Sequence, residues 1–412
     1  MELRIEKPTD LAGPGSGGGD GFGLYVHWPF CLSKCPYCDF NSHVREHVDH
    51  RRWRAAYLRE LDHVAASLGD RGLQSIFFGG GTPSLMDPDT AGAIIDKACG
   101  LWPPVTDCEI TLEANPGAAD ESRFSALFDA GVNRLSLGVQ ALDDVSLAFL
   151  GRGHNVAEAL GALGTAQKVF PRVSFDLMYG RPGQTEASWR RELKDAIGFG
   201  TSHLSAYQLT IEPGTPFYGA VRRGVFVMPK EGLAADLFEA TNEVLEGAGL
   251  AAYEISNHAR PGDECRHNLL YWRGEDYAGI GPGAHQRLAQ DQGVMALYRL
   301  RRPEDWLEQV ERLGHGTAEQ SRLSQNQRIT EIVMMGLRLR QGIGRDRFRR
   351  QAGGDFADIL GPRTLDRLIT AGAVQLDGGH LAATDFGRQR LDTVILELVA
   401  GLDQDAPAMI SV

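Results

Sequence analysis

The sequence predicts an α/β protein: a partial (β/α)6 TIM-like barrel followed by a smaller C-terminal helical, winged-helix-like domain. Three observations predict it. Short apolar runs alternate with longer helical patterns from Gly23 to about Leu209, as βα units around a parallel sheet do. Six such units fall short of the eight that close a full barrel. Polar residues recur at the ends of consecutive predicted strands, where barrels bind ligands.

The elements follow in order. Residues 1–22 are polar and Gly-rich, including Gly13-Pro-Gly-Ser-Gly-Gly-Gly19, and read as a flexible leader. Strands are expected at Leu24–His27, Ser75–Phe78, Glu109–Glu113, Arg134–Gly138, Val173–Met178 and His203–Leu209. Helices fall between them at Arg51–Leu68, Asp87–Ala98, Glu121–Ala130, Val156–Val169 and Glu186–Gly198. A helix at Lys230–Gly247 and a strand near Tyr253 extend or cover the open edge. The barrel with its extension takes residues 23–300. Beyond Arg301 the pattern changes, and 301–400 form the second domain, with 401–412 as a tail. In that domain Ser324–Leu339 is helical, with Ile332, Met334, Met335 and Leu339 on its buried face. Leu360–Ile369 is a further helix, Val374–Leu381 a hairpin turning at Asp377-Gly378-Gly379, and Asp385–Val399 a last helix.

Bulk numbers exclude several classes. Of 412 residues, 42% are hydrophobic and 23% charged, the balance of a soluble globular protein. A net charge of −12 argues against a nucleic acid partner, because nothing in it attracts phosphates. The C-terminal module could suggest DNA binding, but its Arg excess is slight, and a packing or lid domain is the simpler reading. No apolar stretch approaches the ~18 residues of a membrane span. The first residues lack the apolar run of an export signal, so a cytoplasmic, reducing location is expected.

Three of the six cysteines, Cys31, Cys35 and Cys38, share the run Tyr25-Val-His-Trp-Pro-Phe-Cys-Leu-Ser-Lys-Cys-Pro-Tyr-Cys-Asp-Phe40. In a reducing compartment such a cluster binds metal rather than forming disulfides. Three thiolates are one short of a closed tetrahedral zinc site, for which His27, Asp39 and His43 are the nearest further ligands. On a [4Fe–4S] cluster, which takes one ligand per iron, three thiolates leave one iron open to a chelating molecule. Cys99, Cys108 and Cys265 are scattered and read as small buried apolar groups.

The predicted strand ends carry the other candidates. Gly79-Gly80-Gly81-Thr82-Pro83 follows the second strand, where glycines let backbone approach a ligand. Glu113 ends the third, Gln140 the fourth, with Arg152 soon after in Gly151-Arg-Gly-His154, and Asp176 lies on the fifth. Each alone suits a salt bridge or cap. Together they place polar groups at four consecutive strand ends, which a purely structural barrel does not need.

The CxxxCxxC spacing, the GGGTP loop, Leu135-Ser-Leu-Gly-Val-Gln140 and Asp176-Leu-Met-Tyr-Gly180 resemble the radical S-adenosylmethionine (SAM) superfamily, in its oxygen-independent coproporphyrinogen III oxidase-like branch. The resemblance runs from about Leu24 to Val399. It implies the partial barrel of the radical SAM type, a [4Fe–4S] cluster on Cys31, Cys35 and Cys38, and SAM on the open iron. By motif it implies SAM contacts from Tyr25, Tyr37, Gly80, Gly81, Thr82, Glu113, Gln140, Arg152 and Asp176, with Thr210 a looser match.

Two departures separate the chain from the oxidases of that branch. Their cysteine motif carries a further Cys where Phe40 stands, and only 30 residues precede Cys31. In both respects the chain is similar to the HemW-type heme chaperones, which share the motif written here as His267-Asn-Leu-Leu-Tyr-Trp272. That likeness implies heme as cofactor, with His267 as iron ligand and Asn268, Tyr271 and Trp272 beside it. On the residues alone, the favoured reading is that His267 caps a loop while Tyr271 and Trp272 lie in the core. Cys265 is a second candidate contact to iron, although no CxxCH is present. The implied partners are heme and a heme-accepting protein, with the cluster organising a homodimer or gating transfer. No catalytic residue is assigned. Decarboxylation of coproporphyrinogen propionates is the enzymatic alternative.

Overall fold

The computed structural model describes residues 22–402, apart from 119 and 291–292. The expected leader and tail lie almost wholly outside the described residues. Six parallel strands run in chain order: β1 (Phe22–Trp28), β2 (Leu73–Gly80), β3 (Pro104–Ala114), β4 (Arg134–Gln140), β5 (Arg172–Tyr179) and β6 (His203–Gln208). Helices α1 (His50–Leu68), α2 (Pro88–Leu101), α3 (Glu121–Asp129), α4 (Asp144–Phe149), α5 (Val156–Val169) and α6 (Glu186–Gly198) connect them. This is the expected six-unit partial barrel.

Alternation along each strand decides the two faces. Leu24, Val26, Ile76, Phe78, Leu112, Leu135, Leu137, Phe175 and Leu177 face outward into one core shared with the helices. The intervening residues face the barrel interior, and they are unusually polar: Tyr25, Thr111, Glu113, Ser136, Ser174, Asp176 and Ser205. Helix starts are set by local chemistry. Asn155 and Glu158 form a capping box on α5, and Thr185 with Ser188 does the same on α6.

The chain then passes through α7 (Pro216–Arg222) and α8 (Glu231–Gly247) to the sheet edge. The single strand expected near Tyr253 is two short ones, β7 (Ala251–Ala252) and β8 (Asn257–Ala259), with Tyr253 in the turn; β8 pairs antiparallel with β6. A short helix, α9 (Arg266–Trp272), follows. Next, β9 (Tyr277–Ile280) adds to the free side of β1 in parallel, and β10 (His285–Gln290), β11 (Gly293–Arg299) and β12 (Thr317–Arg322) continue the sheet antiparallel. The order is β12-β11-β10-β9-β1-β2-β3-β4-β5-β6-β8-β7.

The pattern change expected at Arg301 thus comes later in space. Helix α10 (Pro303–Leu313) still packs on α1, where Trp306 stacks on Trp53 at 5.3 Å and 13°, and β12 belongs to the barrel sheet. A second core begins at Ile329 and ends at Val399. Its first helix, Gln325–Gly336, buries Ile329, Ile332, Val333 and Gly336 and leaves the expected Met334 and Met335 half-buried. The hairpin Val374–Asp377 with His380–Ala383 turns on Gly378 and Gly379, both at positive φ. The last helix is interrupted, as Asp385–Arg388 and Leu391–Val399; a Cβ on Gly387 would meet the Ala373 carbonyl at 1.9 Å, so this turn is fixed by close backbone approach.

Candidate functional site

The loop Cys31–Asn41 crosses the C-terminal mouth of the barrel, anchored at both ends. Phe30–Cys31 pairs with His43–Val44, Gly81 N–H donates to Trp28 O at 2.7 Å, and Thr82 N–H to Phe30 O at 2.9 Å. The three thiols are free and half-buried. Each meets its own polar side chain. Thr82 Oγ1 donates to Cys31 Sγ at 3.4 Å, Arg152 Nη1 to Cys35 Sγ at 3.2 Å, and Ser42 Oγ lies 3.7 Å from Cys38 Sγ. Burial pushes the Cys31 and Cys38 thiols up, and the Thr82 and Ser42 contacts oppose it. The donor set therefore suits three thiolates, which a guanidinium and two hydroxyls stabilise. Among the described residues, no three His, Cys, Asp or Glu side chains converge to hold a single ion. A cluster that takes one thiolate per iron does not require that they do.

The glycine loop is shaped for close approach. Gly80 has φ +111°, and a Cβ there would meet the His27 ring at 2.5 Å; a Cβ on Gly81 would meet Phe30 O at 2.7 Å. Gly151, at φ +66°, lets the next turn press against Pro36 and so delivers Arg152 to the cysteine loop. Arg152 Nη2 is fixed by Asn115 Oδ1 and, at 2.9 Å, by Gly138 O. Gln140 is one of two non-glycine residues at positive φ among those described (73°), beside a register shift in β4, and its amide lies over Gly138 next to Arg152. Such strain costs on the order of 1–3 kcal/mol and clusters at functional sites. Tyr37 packs against Phe217, facing Arg152 and Cys35.

Below this mouth two carboxylates share the polar interior. Burial pushes Glu113 up to about 8, reinforced by Asp176, while the Gly80 N–H holds it down in part. Burial likewise raises Asp176 to about 6 against hydrogen bonds from Ser205 and Ser136. Both remain half-buried, open towards the mouth. Tyr25 is half-buried beside them, its hydroxyl 2.9 Å from His27 Nδ1. Cys31, Cys35, Cys38, Tyr25, Tyr37, Gly80, Gly81, Thr82, Glu113, Gln140, Arg152 and Asp176 thus gather at one end of the barrel. Thr210 follows β6 at the same end but is exposed, with no hydrogen bond assigned to its side chain.

The His267 segment is elsewhere. Helix α9 plugs the opposite, N-terminal end of the barrel. Buried Glu109 on β3 caps it, accepting from Arg266 N at 2.9 Å, His267 N at 3.3 Å and Cys265 Sγ at 3.4 Å, and is itself paired with Arg172 at 2.7 Å. His267 is 1% exposed, and both ring nitrogens are engaged, Nδ1 with Ser75 Oγ and Nε2 with Tyr271 OH, each at 2.8 Å. Burial lowers its pKa to about 3. Its ring stacks on Phe77, and Tyr271 sits edge-on to Tyr277. Asn268 is half-buried in the same turn, and Trp272 lies under the Arg338 guanidinium at 4.7 Å. In this arrangement the imidazole is a satisfied core group with no lone pair turned to a ligand. Cys265 is fully buried, and burial with the adjacent Glu109 pushes its thiol up to about 12.

Sequence reasoning missed the residues that hold these pieces. Asn41, three residues past Cys38, donates to Pro282 O and Arg301 O, both at 2.9 Å, and its own carbonyl lies 2.9 Å from His27 Nε2. Glu60, fully buried on α1, accepts from Gly281 N, Gly316 N and Trp306 Nε1 at 2.7–3.0 Å. It thereby locks the Gly281–Gly283 turn against the cysteine loop. A charged residue inside an amphipathic stretch was the visible signal for Glu60, as it was for Glu109 in mid-strand.

Comparison with known proteins agrees with this architecture. The model of the radical SAM superfamily matches residues 25–196, and that of the HemN C-terminal domain matches 323–390. The chain is 38% identical to a radical S-adenosyl methionine domain-containing protein 1, mitochondrial, of Bos taurus, over 98% of this chain and 93% of that one. It is 36% identical to the heme chaperone HemW of Escherichia coli (90% and 96% covered) and 35% identical to that of Mycobacterium tuberculosis H37Rv (93% and 99%). Among solved structures, the coproporphyrinogen III oxidase HemN of Escherichia coli superposes with a TM-score of 0.77 at 22% identity, covering 92% and 90% of the two chains.

Proposed function

The chain belongs to the radical SAM superfamily and, within it, to the family of HemW heme chaperones, and on that premise we propose that it binds heme and passes it to an acceptor protein. The observation that carries this reading is similarity along nearly the full length of those chaperones, 99% of the Mycobacterium tuberculosis protein. Phe40, 58% exposed where the oxidases carry a further Cys, supports it over oxidase chemistry.

At the mouth, Cys31, Cys35 and Cys38 would hold a [4Fe–4S] cluster whose open iron supplies a binding point for SAM. Thr82, Arg152 and Ser42 stabilise the thiolates. The Gly80–Gly81 backbone, Glu113 and Asp176 line the space a SAM molecule would take. Both carboxyls are held above the usual carboxylate range by burial, Glu113 further than Asp176, so Glu113 is the one that holds a proton more firmly. Asn41 and Glu60 keep the loop in register. A reducing compartment suits these thiols. No described helix is long and apolar enough to cross a membrane.

The heme-binding residues we assign to the His267 segment act only after rearrangement, because His267 must release Tyr271 before Nε2 can meet iron. We propose further that the cluster organises a homodimer competent for transfer. Anaerobic hemin titration with and without SAM, followed by transfer to an apo-heme protein, tests the function. Conversion of coproporphyrinogen to protoporphyrinogen with reductant and SAM would instead establish the oxidase. Unaltered dimerisation and delivery by Cys35→Ala would remove the role given to the cluster.

A further inference from the structure

The seam between the barrel edge and the C-terminal unit carries buried polar groups that the fold does not satisfy. His258 on β8 is 1% exposed, and its ring nitrogens find no partner beyond a loose contact with the Ser256 backbone. Arg388, 4% exposed, uses only Nη1, on Arg338 O at 3.2 Å, and leaves Nε and Nη2 without partners. Glu254 is fully buried; its Oε1 accepts from Ser256 N and Asn257 Nδ2, while Oε2 has only Arg338 Nη2 at 3.7 Å. Trp272 Nε1, beneath Arg338, is buried and unpartnered as well.

Native folds leave few such groups, since a buried donor without an acceptor keeps its full desolvation penalty. Here several lie together. The charges are lopsided too: three guanidiniums, Arg338, Arg340 and Arg388, face Glu254 and the exposed Asp385, which pairs with Arg340 at 2.7 Å. Burial, with Arg340 adding to it, drives Arg388 down to about 10, and the opposing pull of Glu254 and Asp385 does not make up the difference. A cationic knot in a protein of net charge −12 is what an anionic ligand would neutralise. The way in lies on the rim, where the Arg338 and Arg340 side chains are 33% and 41% exposed.

We propose that this seam is a carboxylate-binding site, reached between Arg338 and Arg340 and ending on Arg388 and His258, and that its occupant is a propionate arm of heme. The identity of the occupant rests on the heme-chaperone reading above. Trp272 closes the His267 motif, so the seam adjoins the segment to which iron binding is assigned, and Arg338 covers the indole face that a porphyrin plane would take.

The test titrates the full chain, wild type and Arg388→Gln, with hemin and with hemin dimethyl ester, following the Soret band. A parallel arm follows the thermal midpoint with added acetate and phosphate. Wild type is expected to prefer hemin over the diester about ten- to a hundredfold, the worth of a charge-assisted hydrogen bond. Arg388→Gln is expected to lose that preference by weakening hemin alone. Equal binding of both by wild type, or a preference retained in Arg388→Gln, overturns the proposal. If wild type binds no hemin at all, the heme reading fails. The seam then stands as an oxyanion site only if acetate or phosphate raises the midpoint of wild type and not of the variant, and falls otherwise. Should Arg388→Gln misfold, the rim variant Arg340→Gln is expected to show the same loss in smaller degree, and no loss there counts against the site.

Discussion

Replacing Tyr271 by Phe separates the two roles open to His267. The hydroxyl removed lies 2.8 Å from Nε2, while Ser75 Oγ holds Nδ1 at the same distance. A phenol donating to Nε2 leaves the proton on Nδ1, the tautomer that an iron ligand bound through Nε2 also needs. In the heme-free protein the variant strands a buried nitrogen, and stability should fall by about 1–3 kcal/mol. Iron would satisfy that nitrogen, so ligation no longer competes with the hydrogen bond. The net worth of such a bond, about 0.5–1.5 kcal/mol, sets a gain in hemin affinity of roughly two- to twelvefold, with the aromatic face retained. The assay is an anaerobic hemin titration read at the Soret band, beside thermal melts of the heme-free protein. Unchanged affinity in Tyr271→Phe, together with unchanged affinity in His267→Ala, would show that iron is held elsewhere and that this imidazole serves only the core.

Further expectations test the mouth. Arg152→Met removes a charge-assisted contact to Cys35 Sγ. After anaerobic reconstitution it should lower the cluster's midpoint potential, by at most about 60–130 mV for a contact of roughly 1.5–3 kcal/mol, and an unmoved potentiometric titration would discount the contact. Gly80→Ala places a Cβ 2.5 Å from the His27 ring at φ +111°, so reconstituted iron and acid-labile sulfide should fall well below wild type. Glu113 has a folded pKa raised to about 8, so its contribution to stability is present below its unfolded value and lost as pH rises through about 8. Glu113→Gln should therefore gain in thermal midpoint relative to wild type between pH 5 and pH 9, and a constant difference would mean the carboxyl is not held protonated. Asn41→Ala frees the Pro282 and Arg301 carbonyls and should speed loss of iron to a chelator without altering the far-ultraviolet circular dichroism.

The sequence by itself determined the six-stranded barrel, because strands with one face on the helices and the other on a polar interior must alternate, and that period is readable. It also determined the mouth, since Cys31–Cys38, Gly80–Thr82, Glu113 and Gln140 lie at or just past strand ends, with Arg152 in a following loop and Asp176 on the next strand, and parallel strands in order bring their ends together. Strands β9 to β12 escaped notice for the opposite reason: β9 is four residues with a glycine, and β12 is a largely exposed edge without an apolar stripe. Only the tertiary structure decided that α9 enters the far end of the barrel and satisfies both nitrogens of His267. It alone gathered His258, Glu254, Arg338 and Arg388 from opposite sides of a seam. Such pairings join residues up to some 130 positions apart across units that pack independently, and no local period encodes which buried donor will be left without an acceptor.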